Sequence, residues 1–128
     1  MGLIDFITGG PKKDPVHLTD ENFKDLVVNG TTPWVIDFWG PNCSWCDKMV
    51  PTIRILSARY ENRVGFGEVD ISRNPKITSA LSVRSTPTLA FLKDGKLVER
   101  LVGYHPEQFI EEVIEAHFTG YGITTPKS

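Results

Sequence analysis

The run Trp34-Val35-Ile36-Asp37-Phe38-Trp39 constrains this chain more than any other segment. Apart from Asp37 every residue in it is aromatic or β-branched, so neither face of a strand built from it can be left in water. Such a run suits a strand buried on both sides, in the middle of a parallel or mixed sheet covered by helices. Asp37 is the anomaly. A carboxylate in apolar surroundings is costly as an ion, so its pKa is expected to rise; the bland alternative is a solvated strand end.

The flanking segments supply the rest of an α/β domain. Val16-His17-Leu18 reads as a short strand, and Thr19 or Asp20 can cap a helix from about Glu21 to Val28, with Phe23, Leu26 and Val27 on one side and Asn29-Gly30 at its end. Gly40-Pro41-Asn42 turns the chain into a helix starting near Cys43, with Met49, Val50, Ile53, Ile55, Leu56 and Tyr60 at helical spacing and Pro51 as an expected kink. Val64 to Ile71 is a third strand, and Asn74-Pro75 opens a short helix to about Leu81. Two alternating runs, 88–92 and 97–102, flank Asp94-Gly95, a strong hairpin signal. Pro106 begins a last helix with Phe109, Ile110, Val113, Ile114 and Phe118 as its buried stripe. The order β-α-β-α-β-α-β-β-α implies a mixed sheet with helices on both faces.

At 128 residues the chain has room for one domain. We divide it into an N-terminal extension (1–14), a domain (15–118) and a C-terminal tail (119–128). The extension is expected to add a short amphipathic turn and the tail to fray. Fourteen Lys and Arg stand against sixteen Asp and Glu, so the positive face that nucleic acid binding needs is not expected. The apolar runs are too short to span a bilayer, and the start lacks the character of a secretory signal.

The cysteines are Cys43 and Cys46 alone. A secreted small domain normally carries several pairs, so one close pair points to the cytoplasm and to chemistry. Structural zinc needs four ligands, and His17, His105 and His117 are scattered.

In these residues the chain resembles the thioredoxin family. The matching pieces are Val35-Ile36-Asp37-Phe38-Trp39, Cys43-Ser44-Trp45-Cys46, Pro51, Asp70-Ile71 with Asn74-Pro75, Ser85-Thr86-Pro87-Thr88-Leu89, Asp94-Gly95-Lys96 and Val102-Gly103. They cover about residues 15 to 118 in the family's order. The resemblance implies the thioredoxin fold, a central mixed sheet of about five strands flanked by about four helices. It implies a thiol–disulfide oxidoreductase that reduces protein disulfides, with the dithiol as its own redox centre and no cofactor. A thioredoxin reductase and disulfide-containing proteins are the expected partners, with no nucleic acid or membrane, and the protein is expected to be monomeric and cytoplasmic.

Physical reasoning assigns roles in the same sense. A helix N-terminus stabilises a thiolate, so Cys43 is the expected attacking sulfur and Cys46, one turn on, the resolving one. By resemblance Asp37 exchanges a proton with the buried cysteine, and Pro87 is a cis-proline. The backbone of Thr86 is where an extended substrate pairs, and Gly103 lets it approach. Trp39 is expected against the disulfide, and Pro41, Asn42, Ser44 and Trp45 complete the substrate surface.

The chain departs from the family pattern in three places. Ser44-Trp45 replaces Gly-Pro, which frees an amide near the attacking sulfur and favours a more oxidising disulfide. Asn42 stands where Trp is usual and Asp47 where Lys or Arg is common. Glu68, where the family shows Lys or Glu, is expected beneath Asp37 as a second, coupled carboxylate. Ser44-Trp45 and Thr86 favour an isomerase or oxidant as the alternative; a non-redox binding module, against which intact Cys43, Cys46, Asp37 and Pro87 count, and a metal-bridged pair of chains are the further readings.

Overall fold

The computed structural model describes residues 10–118. Five strands form one sheet: β1 (Val16–His17), β2 (Trp34–Trp39), β3 (Gly65–Asp70), β4 (Thr88–Lys93) and β5 (Lys96–Val102), in the order β1-β3-β2-β4-β5. β1, β3 and β2 are mutually parallel, whereas β4 and β5 run antiparallel to their neighbours. The helices are α1 (Lys24–Val28), α2 (Ser44–Arg59), α3 (Pro75–Ala80) and α4 (Glu107–His117).

The apolar run forms β2 at the centre of the sheet, and its alternation feeds two separate cores. Val35 packs with Met49, Ile53 and Leu56 of α2 and with Ile110 and Ile114 of α4. Trp34, Ile36 and Phe38 pack on the opposite face with Val27 and Ile77. Because successive strand residues alternate in direction, Asp37 shares the side of Val35 and lies under α2. Gly65 and Gly67 make room on the other side: a Cβ on Gly65 would meet the Trp34 ring at 2.6 Å, and one on Gly67 would collide with Leu18.

Local chemistry accounts for the turns. Asp94 and Gly95 both take positive φ, 53° and 75°, between the paired Lys93 and Lys96, the geometry that closes a two-residue hairpin. α2 continues through Pro51 to Arg59. Pro75 occupies the first turn of α3.

Several expectations are corrected. The first helix begins at Lys24 rather than Glu21 and is wound as a single π-type segment, closed by the Asn29 amide donating to Lys24 O at 2.9 Å. Thr19 and Asn22 cap each other reciprocally, Asn22 N–H to Thr19 Oγ1 and Thr19 N–H to Asn22 Oδ1. Asp20 instead caps α3, accepting from the Ile77 and Lys76 amides at 2.9 and 3.2 Å. Leu26 and Val50 are exposed, and so is Phe109 at 41%. Phe109 stacks on His105 outside the core. The expected extra turn at the N-terminus and the C-terminal tail lie outside the described residues.

Candidate functional site

β2 delivers the chain to the top of the sheet, where Gly40-Pro41-Asn42 reverses it into α2. Asn42 makes that turn with a φ of 56°, in the left-handed region asparagine tolerates. Cys43 is itself the N-cap of α2, in extended conformation, and its Sγ accepts from the Cys46 amide at 3.1 Å. The sulfur therefore occupies the place an N-cap oxygen usually takes, at the positive end of a sixteen-residue helix.

Cys43 and Cys46 are joined in a disulfide with Cα atoms 5.2 Å apart. The two sulfurs differ in surroundings. Cys43 is partly exposed and receives a second contact from the Thr86 hydroxyl, 3.6 Å away. Cys46 is 3% exposed and turns inward. The Thr86–Pro87 peptide bond is cis. Pro87 O accepts from the Gly103 amide at 2.8 Å, and Gly103 takes a φ of 89° with open space where a Cβ would stand.

Beneath Cys46 lies a cavity of about 300 Å³, lined by Asp37, Trp39, Cys46, Ile53, Arg54 and Glu68 among others. Asp37 is 4% exposed and its Oδ1 has no hydrogen-bond partner among the described residues. Burial first, and the Glu68 carboxylate second, push Asp37 up from its ordinary 3.8 to about 7. A group with that value can gain or lose a proton near neutrality, as a general acid or base must. Trp39 Nε1–H donates to Glu68 Oε1 at 2.6 Å, and Glu68 Oε2 pairs with His17 Nδ1 at 2.6 Å.

The outer surface carries an exposed aromatic among polar residues. Trp45 is 54% exposed, with its ring 5.5 Å from Tyr104 and the Lys48 ammonium 5.1 Å over its face. Pro41, Asn42 and Ser44 are exposed beside it.

A partly exposed sulfur capping a helix, a buried partner over a carboxylate-lined cavity and a cis-proline converge from three stretches of sequence. The family model described as Thioredoxin matches residues 14–116. The chain belongs to the thioredoxin family. It is similar to the thioredoxin of Staphylococcus saprophyticus, 34% identical over 102 residues that cover 80% of this chain and 96% of that protein. Thioredoxin 1 of a Nostoc species is 32% identical over 101 residues, covering 79% and 94%. The Staphylococcus aureus thioredoxin is 33% identical over 102 residues, covering 80% and 96%. Family and disulfide together make this chain a thiol–disulfide oxidoreductase of the protein-disulfide reductase kind.

Two neighbours of the site are not singled out by the sequence. Tyr104 packs on Trp45, and an aromatic directly after Gly103 is the signal that could have found it. The sequence offers His17 as a strand residue and a scattered histidine, because its pairing with Glu68 depends on a register between β1 and β3 that no local pattern reveals. Among the described residues no cluster of His, Cys, Asp and Glu is placed to hold a metal ion, and no helix is long and apolar enough to cross a membrane.

Proposed function

We propose that Cys43 attacks the disulfide of a substrate protein and that Cys46 resolves the mixed disulfide so formed. The observation that carries this division is the asymmetry of the two sulfurs: Cys43 caps α2 and is partly exposed, whereas Cys46 is buried over the Asp37 cavity. The Cys43 thiolate forms a bond to one substrate sulfur and the other leaves as thiolate. Cys46 then loses its proton to Asp37, bonds to Cys43 and releases the substrate sulfur that Cys43 had taken. Two electrons pass from the dithiol to the substrate.

The substrate chain lies along the Thr86 backbone beside Pro87 and Gly103, against Pro41, Asn42, Ser44 and Trp45, with Trp39 behind the disulfide. A thioredoxin reductase restores the dithiol, so the protein serves electron transport in the cytoplasm as a monomer, without a cofactor of its own. The catalytic unit is residues 15–118, with 1–14 as an extension and 119–128 as a tail.

Insulin-disulfide reduction tests the assignment. C43S should fall to background. C46S should accumulate a mixed disulfide between Cys43 and substrate, identified by mass spectrometry. Trapping through position 46 in C43S, with none through Cys43 in C46S, would reverse the roles.

A further inference from the structure

Asp37, Glu68 and His17 stand in one row across the parallel half of the sheet. Asp37 on β2 pairs in register with Glu68 on β3, and Glu68 pairs with His17 on β1. Register partners on neighbouring parallel strands point to the same face, so all three side chains belong to the α2 side. Their exposure rises outward: Asp37 is 4% exposed as a residue, and the side chains of Glu68 and His17 are 21% and 66% exposed. Each end of the row is defined. Asp37 lines the cavity with Cys46, and His17 Nδ1 meets Glu68 Oε2 at 2.6 Å at the sheet edge.

Resting on the proton-accepting role given to Asp37 above, we propose that Glu68 and His17 relay the proton of Asp37 to solvent. When Cys46 Sγ bonds to Cys43 Sγ, its S–H bond breaks and the proton goes to the Asp37 carboxylate. The electron pair of the mixed disulfide leaves with the substrate sulfur, which takes a proton from water. Asp37 then passes its proton across the shared cavity to Glu68, Glu68 passes it to His17, and His17 releases it to water. Glu68 is held for this by two contacts at once, Trp39 Nε1–H on Oε1 and His17 Nδ1 on Oε2. Histidine suits the terminal position because its ring has two nitrogens, so a proton taken at one can leave from the other.

The charged and titratable groups facing Asp37 are few. They are Glu68 from β3, Cys46, Asp47 and Arg54 from α2, and Asp14 from the segment leading into β1. Arg54 is engaged with Asp14 at 2.8 Å, and Asp47 is exposed. On the antiparallel side the register partner of Asp37 is Leu89 and that of Leu89 is Leu101. The protonatable row therefore runs toward β1.

The test is single-turnover exchange of the reduced full chain with insulin, followed by tryptophan fluorescence in dilute buffer from pH 6 to 9. H17Q keeps a polar side chain at an exposed edge but cannot exchange protons. It should resolve about a hundredfold more slowly near pH 7, the lower end of what proton transfer contributes. Added imidazole should restore its rate, and D37N should be slow and unresponsive to imidazole. A slow H17Q that imidazole does not rescue would mean only a structural part and overturns the relay. A wild-type rate in H17Q beside a slow D37N also overturns it, while leaving Asp37 in its role. D37N exchanging as wild type with an unchanged pH profile removes both the relay and the role on which it rests.

Discussion

Asp37 and Glu115 are carboxylates taken almost wholly out of water, 4% and 8% exposed, and each keeps one oxygen without a hydrogen-bond partner among the described residues. They sit on the same side of the sheet and differ in company. Glu115, on α4, meets the Tyr60 hydroxyl of α2 at 3.0 Å, and burial with that carboxylate beside it pushes Tyr60 up. Asp37 meets a cavity, a cysteine sulfur and a second carboxylate. One acid ties two helices together. The other, on the reading proposed above, takes the Cys46 proton. Burial is common to both, so on that reading it is the neighbours that separate a structural acid from a chemical one.

The largest expected effect tests this directly. The folded protein holds the Asp37 proton more tightly than the unfolded chain, so the stability it gives is complete below pH 3.8 and lost as pH rises through about 7. At about 1.4 kcal/mol for each unit of pKa, ionised Asp37 costs about 4 kcal/mol above that range. Oxidised D37N should therefore match wild type near pH 4 and exceed it by up to that amount at pH 8.5, in denaturant unfolding across the range. A constant difference at every pH would break the comparison.

Glu115 should answer differently. Y60F removes the hydroxyl that Glu115 accepts from, leaving a buried carboxylate with neither oxygen paired, at a cost of about 1–3 kcal/mol. Insulin reduction below the unfolding temperature should be unchanged. A loss of exchange rate in Y60F would place Glu115 in the chemistry after all.

The smallest effect sharpens the Asp37 side. E68Q removes a negative charge yet keeps an oxygen for Trp39 Nε1, so the Asp37 midpoint should fall below about 7. The fall should be smaller than the effect of burial, which is the leading cause. Carboxyl carbon shifts followed against pH read it; a midpoint that stays or rises would show that Glu68 does not act on Asp37 by charge.

Much of this was open to a reader of the sequence because it was local. The β2 run announced its own burial, and the carboxylate inside it announced itself by violating the pattern. Cys43 followed a turn and preceded a helical stripe, which places it at an N-terminus whatever the rest of the chain does. What stayed closed depended on partners far along the chain. Glu115 looked like a charged residue beside the α4 stripe until Tyr60 arrived from α2. His17 became an ion-pair partner only through the register of β1 on β3. Val50 and Phe109 fit apolar helical spacing, but the buried stripe is narrower than the apolar one, and both fell outside it. The π winding of α1 has no local signature of its own.

The capping of α3 by Asp20 has a consequence for how the molecule comes together. Six residues are too few to hold a helix without help, and the amides of Lys76 and Ile77 are held from more than fifty positions earlier. Asn74, just ahead of α3, accepts the Asp20 amide on its side-chain Oδ1 at 2.9 Å, so the tie is made in both directions. The chain that leads from α3 to Thr86 and Pro87 thus starts from a helix fastened to the segment that follows β1. Parting the two would strip the Lys76, Ile77 and Asp20 amides of these acceptors at once, so segments more than fifty positions apart stand or fall together.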